Sequence, residues 1–325
     1  SGKDYTIINN DLTNSGNDNS RPAIWFNSVR PLNIPKGMIA SGNLFGGTNA
    51  RTALRVDGVD GLVVGDASVV GANIKIEDNS GANNMNCTDL TAVLYFSGVS
   101  NLTVDNVDVS RSFSGREGTG IYLDNSGNAT YKNFTIKNCL LKQHHVGIWV
   151  NGGKDLTLTN NDFRYSGFYD DRPALYLNSI TAGTLPGGIL MSGNLFGGSF
   201  NSSTSEYGIR IDNMRDLIIG DTSVVGRNIT IEDGSGLNEV GGADVSSRGC
   251  MKMNSVRNII IDNVDFSKAT GGQANSFGLY LNGCLNSVVK NCKGGNRFKG
   301  FHFNSGRDYT VFNNNLTGSG LSISY

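Results

Sequence analysis

The feature that most limits what this chain can fold into is repetition at two length scales. Residues 37–45 read GMIASGNLF and residues 188–196 read GILMSGNLF. The run LVVGDASVVGANIKIEDNSG at 62–81 returns at 217–236 as LIIGDTSVVGRNITIEDGSG. The opening KDYTIINNDLTNSG at 3–16 comes back as KDLTLTNNDFRYSG at 154–167 and again as RDYTVFNNNLTGSG at 307–320, offsets of 151 and 153 residues. The long repeat therefore divides the chain into copy one at 3–153, copy two at 154–306 and the start of a third at 307–325.

Inside each copy runs a shorter period with two halves. One half is a frame of alternating apolar positions between polar or Gly ends: Asp4–Asn9, Gly37–Gly42, Gly61–Asp66, Asn101–Asn106 and Asn128–Asn133. Copy two supplies Asp155–Asn160, Gly188–Gly193, Asp216–Asp221, Asn258–Asn263 and Asn286–Asn291, and Asp308–Asn313 opens the third. The other half is a small residue, an apolar, a variable position, an apolar, then usually Asn or Asp, as in Gly120-Ile121-Tyr122-Leu123-Asp124. Alternation over four or five residues predicts strands, and Gly/Asn/Asp punctuation predicts turns. No window sustains a capped helical period. A single coil of this kind cannot bury its apolar face, but stacked coils share one core and pair their backbones along the axis.

The run Gly147-Ile148-Trp149-Val150-Asn151, followed by Asp155-Leu156-Thr157-Leu158-Thr159-Asn160-Asn161-Asp162-Phe163, resembles the right-handed parallel β-helix repeat. That family includes pectate-lyase-like enzymes, epimerases, phage tailspikes and many surface proteins. The resemblance covers nearly the whole chain. It implies an all-β, single-stranded solenoid over 1–325 of about eleven coils, a rod near 50 Å long at about 4.8 Å per strand. It leaves the chemistry open, because the fold hosts many functions.

Composition narrows the class. Lys+Arg 27 against Asp+Glu 28 gives a net charge of −1, which argues against nucleic acid or an anionic membrane surface as partner. No apolar run reaches the roughly 18 residues of a spanning helix, so membrane insertion is not expected. The chain begins Ser1-Gly2 without Met or a signal-peptide pattern and reads as an excised piece whose parent carries further copies. Five Cys are too few for a disulfide scaffold in 325 residues. Cys139, Cys284 and Cys292 read as small buried residues. The recurrent Asn9, Asn106, Asn133, Asn160, Asn263, Asn291 and Asn313 read as a turn ladder, since Asn tolerates left-handed backbone.

No cofactor and no metal site are expected. His144-His145 are replaced by Arg297-Phe298 in the second copy, which disfavours zinc. The segments 66–92 and 221–249 read as insertions in the two longest coils. Their matched pairs Glu77-Asp78 and Glu232-Asp233 would suit Ca²⁺, but a solvated loop end is the preferred reading.

The variable position of the Gly-apolar-x-apolar strand should face solvent. Along the coils it is Trp25, Arg55, Tyr95, Tyr122, Trp149, Tyr176, Arg210, Lys252, Tyr280 and His302, nearly all aromatic or cationic. These ten are the candidate glycan contacts, because aromatic rings suit the apolar faces of sugars and cations bond hydroxyls or carboxylates. Two other readings stay open: cross-strand stabilisation, and burial under another chain or domain. The other half-coil places Thr6, Thr103, Thr130, Thr157 and Thr310 outward, mixed with Ile39, Val63, Leu190, Ile218, Ile260 and Val288, which is no regular ice-binding array.

Chemistry of the β-helix hydrolases and lyases would draw on Arg55 with Asp57, Arg210 with Asp212, Lys252 and Asp170-Asp171. General acid–base catalysis needs one converged cluster, whereas the Arg/Asp pairs are duplicated one long repeat apart. No catalytic residue is assigned. The sequence reads as a non-catalytic repeat module of a secreted or cell-surface protein, an adhesin or stalk, with polysaccharide or cell-surface glycan as partner. A polysaccharide lyase or glycoside hydrolase is the alternative.

Overall fold

The computed structural model describes residues 6–13, 15, 22–27, 38–41, 44–47, 52–58, 63–64, 74–77, 85–87, 92–110, 118–125, 130–167, 173–180, 189–196, 199–200, 203–204, 207–219, 229–231, 248–267 and 276–324. All regular structure among them is β-strand. Every pairing is parallel except one short antiparallel contact between Ser199–Phe200 and Ser203–Thr204. Sequential parallel neighbours separated by 22 to about 40 residues are what a solenoid requires, and a helical crossover is absent from the described residues.

One sheet runs the length of the stack. Its eleven strands follow chain order from Ile24–Asn27 to Gly320–Ser324, one per coil, so the coil number expected from sequence is met. Strict alternation fixes which way each side chain points. In Val146–Asn151, Ile148 and Val150 are fully buried while Trp149 and Asn151 are half-buried on the outer side. The inward residues of neighbouring coils, such as Leu94, Ile121, Ile148, Leu175 and Ile209, merge into one continuous apolar core. Gly is needed where a strand passes a packed ring: a Cβ on Gly147 would come within 2.8 Å of Phe163 Cδ1 and 2.9 Å of the Ala174 carbonyl oxygen.

The second face is broken. Among the described residues it consists of three strands beginning at Thr6–Ile8, then six ending at Ile229–Ile231, then four from Arg215–Ile219 to Arg307–Phe312. The expected frame at Asn128–Asn133 is displaced. The strand is Lys132–Lys137, with Phe134 opposite Leu156 and Thr135 opposite Thr157, so Thr135 and not Thr130 holds the outward position. Phe134 and Ile136 are buried and drive that register; Tyr131 sits in the preceding turn. The segment read as a loop insertion also contributes a strand, since Ile74–Glu77 pairs with Met38–Ser41. A third, short side is made by Asp11–Thr13, Leu44–Gly47 and Met85–Cys87, and further along by single bridges such as Leu140 to Asp162.

Turns carry the Asn ladder. Asn9, Asn106, Asn160, Asn263, Asn291 and Asn313 follow their strands, whereas Asn133, read as one of them, lies inside Lys132–Lys137 opposite Asn101. All seven have φ between 54° and 61°, the left-handed region that Asn enters at least cost among non-glycine residues. Their amides then bond coil to coil: Asn133 Nδ2 donates to Asn101 Oδ1 at 2.6 Å, and Asn291 Nδ2 to Asp262 Oδ1 at 2.7 Å. Inside the corners, Asn161 Nδ2 donates to the Ile136 carbonyl and to Asn194 Oδ1. His144 and its sequence match Arg297 are both buried, donating to the Val109 and Phe266 carbonyls at 2.6 and 2.5 Å, whereas Phe298 is exposed. Cys139, Cys284 and Cys292 are buried thiols, pushed up to about 12, 11 and 12 by desolvation.

Candidate functional site

The strand register brings all ten candidate residues into a single row. Trp25 lies opposite Arg55, Arg55 opposite Tyr95, Tyr95 opposite Tyr122 and Tyr122 opposite Trp149. The row continues through Tyr176, Arg210, Lys252 and Tyr280 to His302, then meets Ser322 in the last coil. No residue of the row is displaced to the core side. This follows from the two-residue period: once one face is buried, a slip by one residue would bury every ring and expose every aliphatic partner.

Sequence reasoning pictured ring faces open to a ligand. The structure instead stacks the row on itself. Tyr122 and Trp149 have centroids 4.8 Å apart with planes 26° apart, and Trp149 and Tyr176 follow at 5.3 Å and 32°. Tyr95 meets Tyr122 edge to face at 5.4 Å. The Arg55 guanidinium sits between Trp25 and Tyr95, 5.0 and 5.1 Å from their ring centroids, and Arg210 lies 5.1 Å from Tyr176. At the far end the Lys252 ammonium is 5.6 Å from Tyr280, which packs on His302 at 5.0 Å. The spacing of parallel strands, about 4.8 Å, nearly matches ring stacking distance. Ring edges, rather than faces, therefore point outward; Trp25, at the end of the row, is the most open member at 49% exposure.

Beside the rings runs a second row that sequence reasoning treated as turn punctuation. Two residues on along each strand stand Asn27, Asp57, Ser97, Asp124, Asn151, Asn178, Asp212, Asn254, Asn282, Asn304 and Ser324, again in register. The signal was present as the Asn or Asp that usually closes the Gly-apolar-x-apolar motif, two residues beyond x and so on the same face. The rows are laced together. Trp25 Nε1 donates to Asp57 Oδ2 at 2.5 Å, Tyr95 Oη to Asp124 at 3.0 Å and Tyr176 Oη to Asp212 at 2.7 Å, each reaching one coil forward. Asn amides reach back: Asn178 to Asn151, Asn254 to Asp212, Asn282 to Asn254 and Asn304 to Asn282, at 2.6–3.2 Å.

Electrostatics follow from this lacing. Arg55 Nε lies 2.9 Å from Asp57 Oδ2, and Arg210 Nε lies 2.9 Å from Asp212 Oδ2. Arg210 and Lys252 are like charges directly opposite, a pairing that destabilises unless neutralised; Asp212 pairs with Arg210. Burial and the Asp124 carboxylate push the Tyr95 phenol up to about 12, and burial also raises Tyr122 and Tyr280. Burial, then the neighbouring Lys299, holds His302 below the usual imidazole value.

Of the other residues weighed, Asp170, Asp171, Asp78, Glu232 and Asp233 lie outside the described residues, as does the side chain of Glu77. Among the described residues no group of three His, Cys, Asp or Glu side chains is placed to hold a metal ion.

Residues 91–240 match the family model described as right handed beta helix region, and the chain is a right-handed parallel β-helix. No curated protein matches it. Among solved structures it is similar to PfbA, a surface adhesin of Streptococcus pneumoniae, with 15% identity, TM-score 0.46, and 96% of this chain and 78% of that chain covered. It is also similar to the A-module of a mannuronan C-5 epimerase from Azotobacter vinelandii: 12% identity, TM-score 0.35, coverage 92% and 86%. The enzymatically active domain of a bacteriophage CBA120 tailspike protein shares 11% identity at TM-score 0.38, over 88% of this chain and 42% of that one. Likeness at this level bears on neither ligand nor chemistry.

Proposed function

We propose that this chain is a non-catalytic β-solenoid repeat module of a secreted or cell-surface protein, an adhesin or stalk, and that it contacts polysaccharide along the outward stripe. The observation that carries this reading is the double row itself, a ring or cation and an amide or carboxylate on nearly every coil, in register without interruption. A fixed array reduces the ordering cost of binding an extended polymer. Each coil adds a weak contact, with net hydrogen-bond contributions of about 1 kcal/mol, and many coils acting on one chain give avidity.

The placement of the carboxylates supports a binding role over hydrolysis. Asp57 and Asp124 are two coils apart, and Asp124 and Asp212 three. At about 4.8 Å per coil these are separations of roughly 10 and 14 Å. Glycosidase pairs work at roughly 5–9.5 Å.

A second reading rests on the stacking: with ring faces covered by neighbours, the stripe is a ladder that stiffens the rod. Native gel retardation in soluble polysaccharides, run beside thermal melting, separates the two. The triple variant Trp25→Ala, Trp149→Ala, Tyr176→Ala should lose retardation by far more than any single change. If the unmodified chain is retarded in no polysaccharide while the triple variant melts much lower, the stripe is only a ladder. Release of reducing or unsaturated ends, abolished by Asp212→Asn, would establish the enzyme alternative instead.

A further inference from the structure

Resting on that polysaccharide reading, the charge arrangement of the double row specifies which polysaccharides fit. The row holds three cations, Arg55, Arg210 and Lys252, and three carboxylates, Asp57, Asp124 and Asp212. Both guanidinium groups already have anions, at 2.9 Å in each case, and both lie over tyrosine rings. A polymer carboxylate or sulfate could pair with Arg55 or Arg210 only by displacing Asp57 or Asp212. That exchange would leave a partly buried carboxylate without its cation, a cost comparable with the gain.

The third cation, Lys252, lies against the Tyr280 ring; what the other coils offer without rearrangement is uncharged. Asn151 and Asn304 bond the Tyr122 and Tyr280 hydroxyls as well as their coil neighbours, whereas an Asn that uses one N–H and one lone pair along the ladder has a second N–H and further acceptor capacity. Asn282, for example, donates to Asn254 and accepts from Asn304. The Tyr95 hydroxyl, which donates to Asp124, has acceptor lone pairs besides. Donors and acceptors side by side on the uncharged coils complement sugar hydroxyls, which are both at once.

We infer that the stripe selects a neutral, hydroxyl-rich polysaccharide and discriminates against polyanionic ones. Discrimination here is built from the carboxylates that mask the guanidinium groups, so it is removable.

The test is native gel retardation of the whole chain in galactomannan and β-glucan gels against alginate and polygalacturonate gels, each at low and high salt. Retardation is expected in a neutral gel, changing by less than about twofold with salt, because contacts that are not charge-driven are barely screened. Retardation in an acidic gel that collapses with salt would overturn the neutral assignment while leaving the polysaccharide reading intact. Retardation in none of the four would remove both. The double variant Asp57→Asn, Asp212→Asn keeps side-chain shape and unmasks the two guanidinium groups. It should gain salt-sensitive retardation in alginate. A folded double variant, verified by melting, that gains none would overturn the masking argument.

Discussion

On one side of the solenoid eleven strands pair without a break, whereas on the other the same coils give blocks of three, six and four. The break occurs where one coil places two strands on that side. Val63–Val64 pairs forward with the strand at Leu102–Asp105, while Ile74–Glu77 pairs back with Met38–Ser41. Arg215–Ile219 and Ile229–Ile231 repeat the arrangement in the second long repeat, pairing forward with Arg257–Asp262 and back with Ile189–Ser192. The outward residues tell why the two sides differ in tolerance. Along the continuous side they stack and bond coil to coil. Along the broken side the described ones are Thr103, Thr135, Thr157, Leu190, Ile260, Val288 and Thr310, side chains shorter than the rings and cations of the continuous side. An inserted strand costs little there and would sever the stack on the other side.

The hardest blow to the continuous side should be Gly147→Val. Its Cβ meets Phe163 and the Ala174 carbonyl, and backbone cannot move aside cheaply. Overpacking of this kind should cost about 3 kcal/mol in urea unfolding; a loss below about 1 kcal/mol would show that the coils are looser than described.

Next comes a matched pair of carboxylate deletions. Asp212→Ala strips acceptors from Tyr176, Arg210 and Asn254. Asp262→Ala, on the broken side, strips them from Lys290 and Asn291. Both carboxylates are buried, bonds to charged groups contribute about 1.5–3 kcal/mol, and Asp212 holds one more partner than Asp262. Asp212→Ala should therefore be the more destabilising by at least about 1 kcal/mol, and equal losses would erase the distinction between the faces.

Alkaline pH should act on the continuous side through Tyr95, alongside Tyr309 on the broken side and the buried thiols, which burial raises into the same range. The Tyr95 phenol is raised from an ordinary 10 to about 12, so the folded state favours the protonated form. Its stabilising contribution is complete below pH 10 and is lost as pH rises through 12. The melting temperature should fall across that window, and less steeply in Tyr95→Phe. Identical slopes in the two proteins would mean that Tyr95 is not the titrating group.

The smallest effect is expected from Thr157→Val, an outward residue of the broken side, within about 0.5 kcal/mol of the unmodified chain. A larger loss would reveal a lock on that side that the register does not show.

Much of this architecture was legible because the period is two and one face is buried: the order Trp25 to His302 could be read straight down the variable positions. The Asn turns were legible because αL backbone selects few residue types. Three things were not. At Asn128–Asn133, Tyr131 mimics an inward apolar position, and only pairing of Phe134 with Leu156 fixes the true strand. The strand at Ile74–Glu77 takes its partner from the preceding coil, which is a tertiary choice. Stacking of the rings depends on side-chain rotamers against neighbours one coil away, so open faces were inferred where mutual contact is found. The polar row at Asp57, Asp124 and Asp212 was seen residue by residue but not as a row, because its function lies in bonds between coils.

The division of labour between the two faces is tested most directly by two triple variants compared in one neutral polysaccharide gel. One is Tyr122→Ala, Trp149→Ala, Tyr176→Ala on the continuous side; the other is Thr103→Ala, Thr135→Ala, Thr157→Ala at outward positions of the broken side, which spans the same region of the stack. Retardation should vanish in the first and persist in the second, with both proteins cooperatively folded at the assay temperature. Equal retardation of the two, or loss in the threonine variant alone, would contradict the assignment of the polymer track to the aromatic stripe.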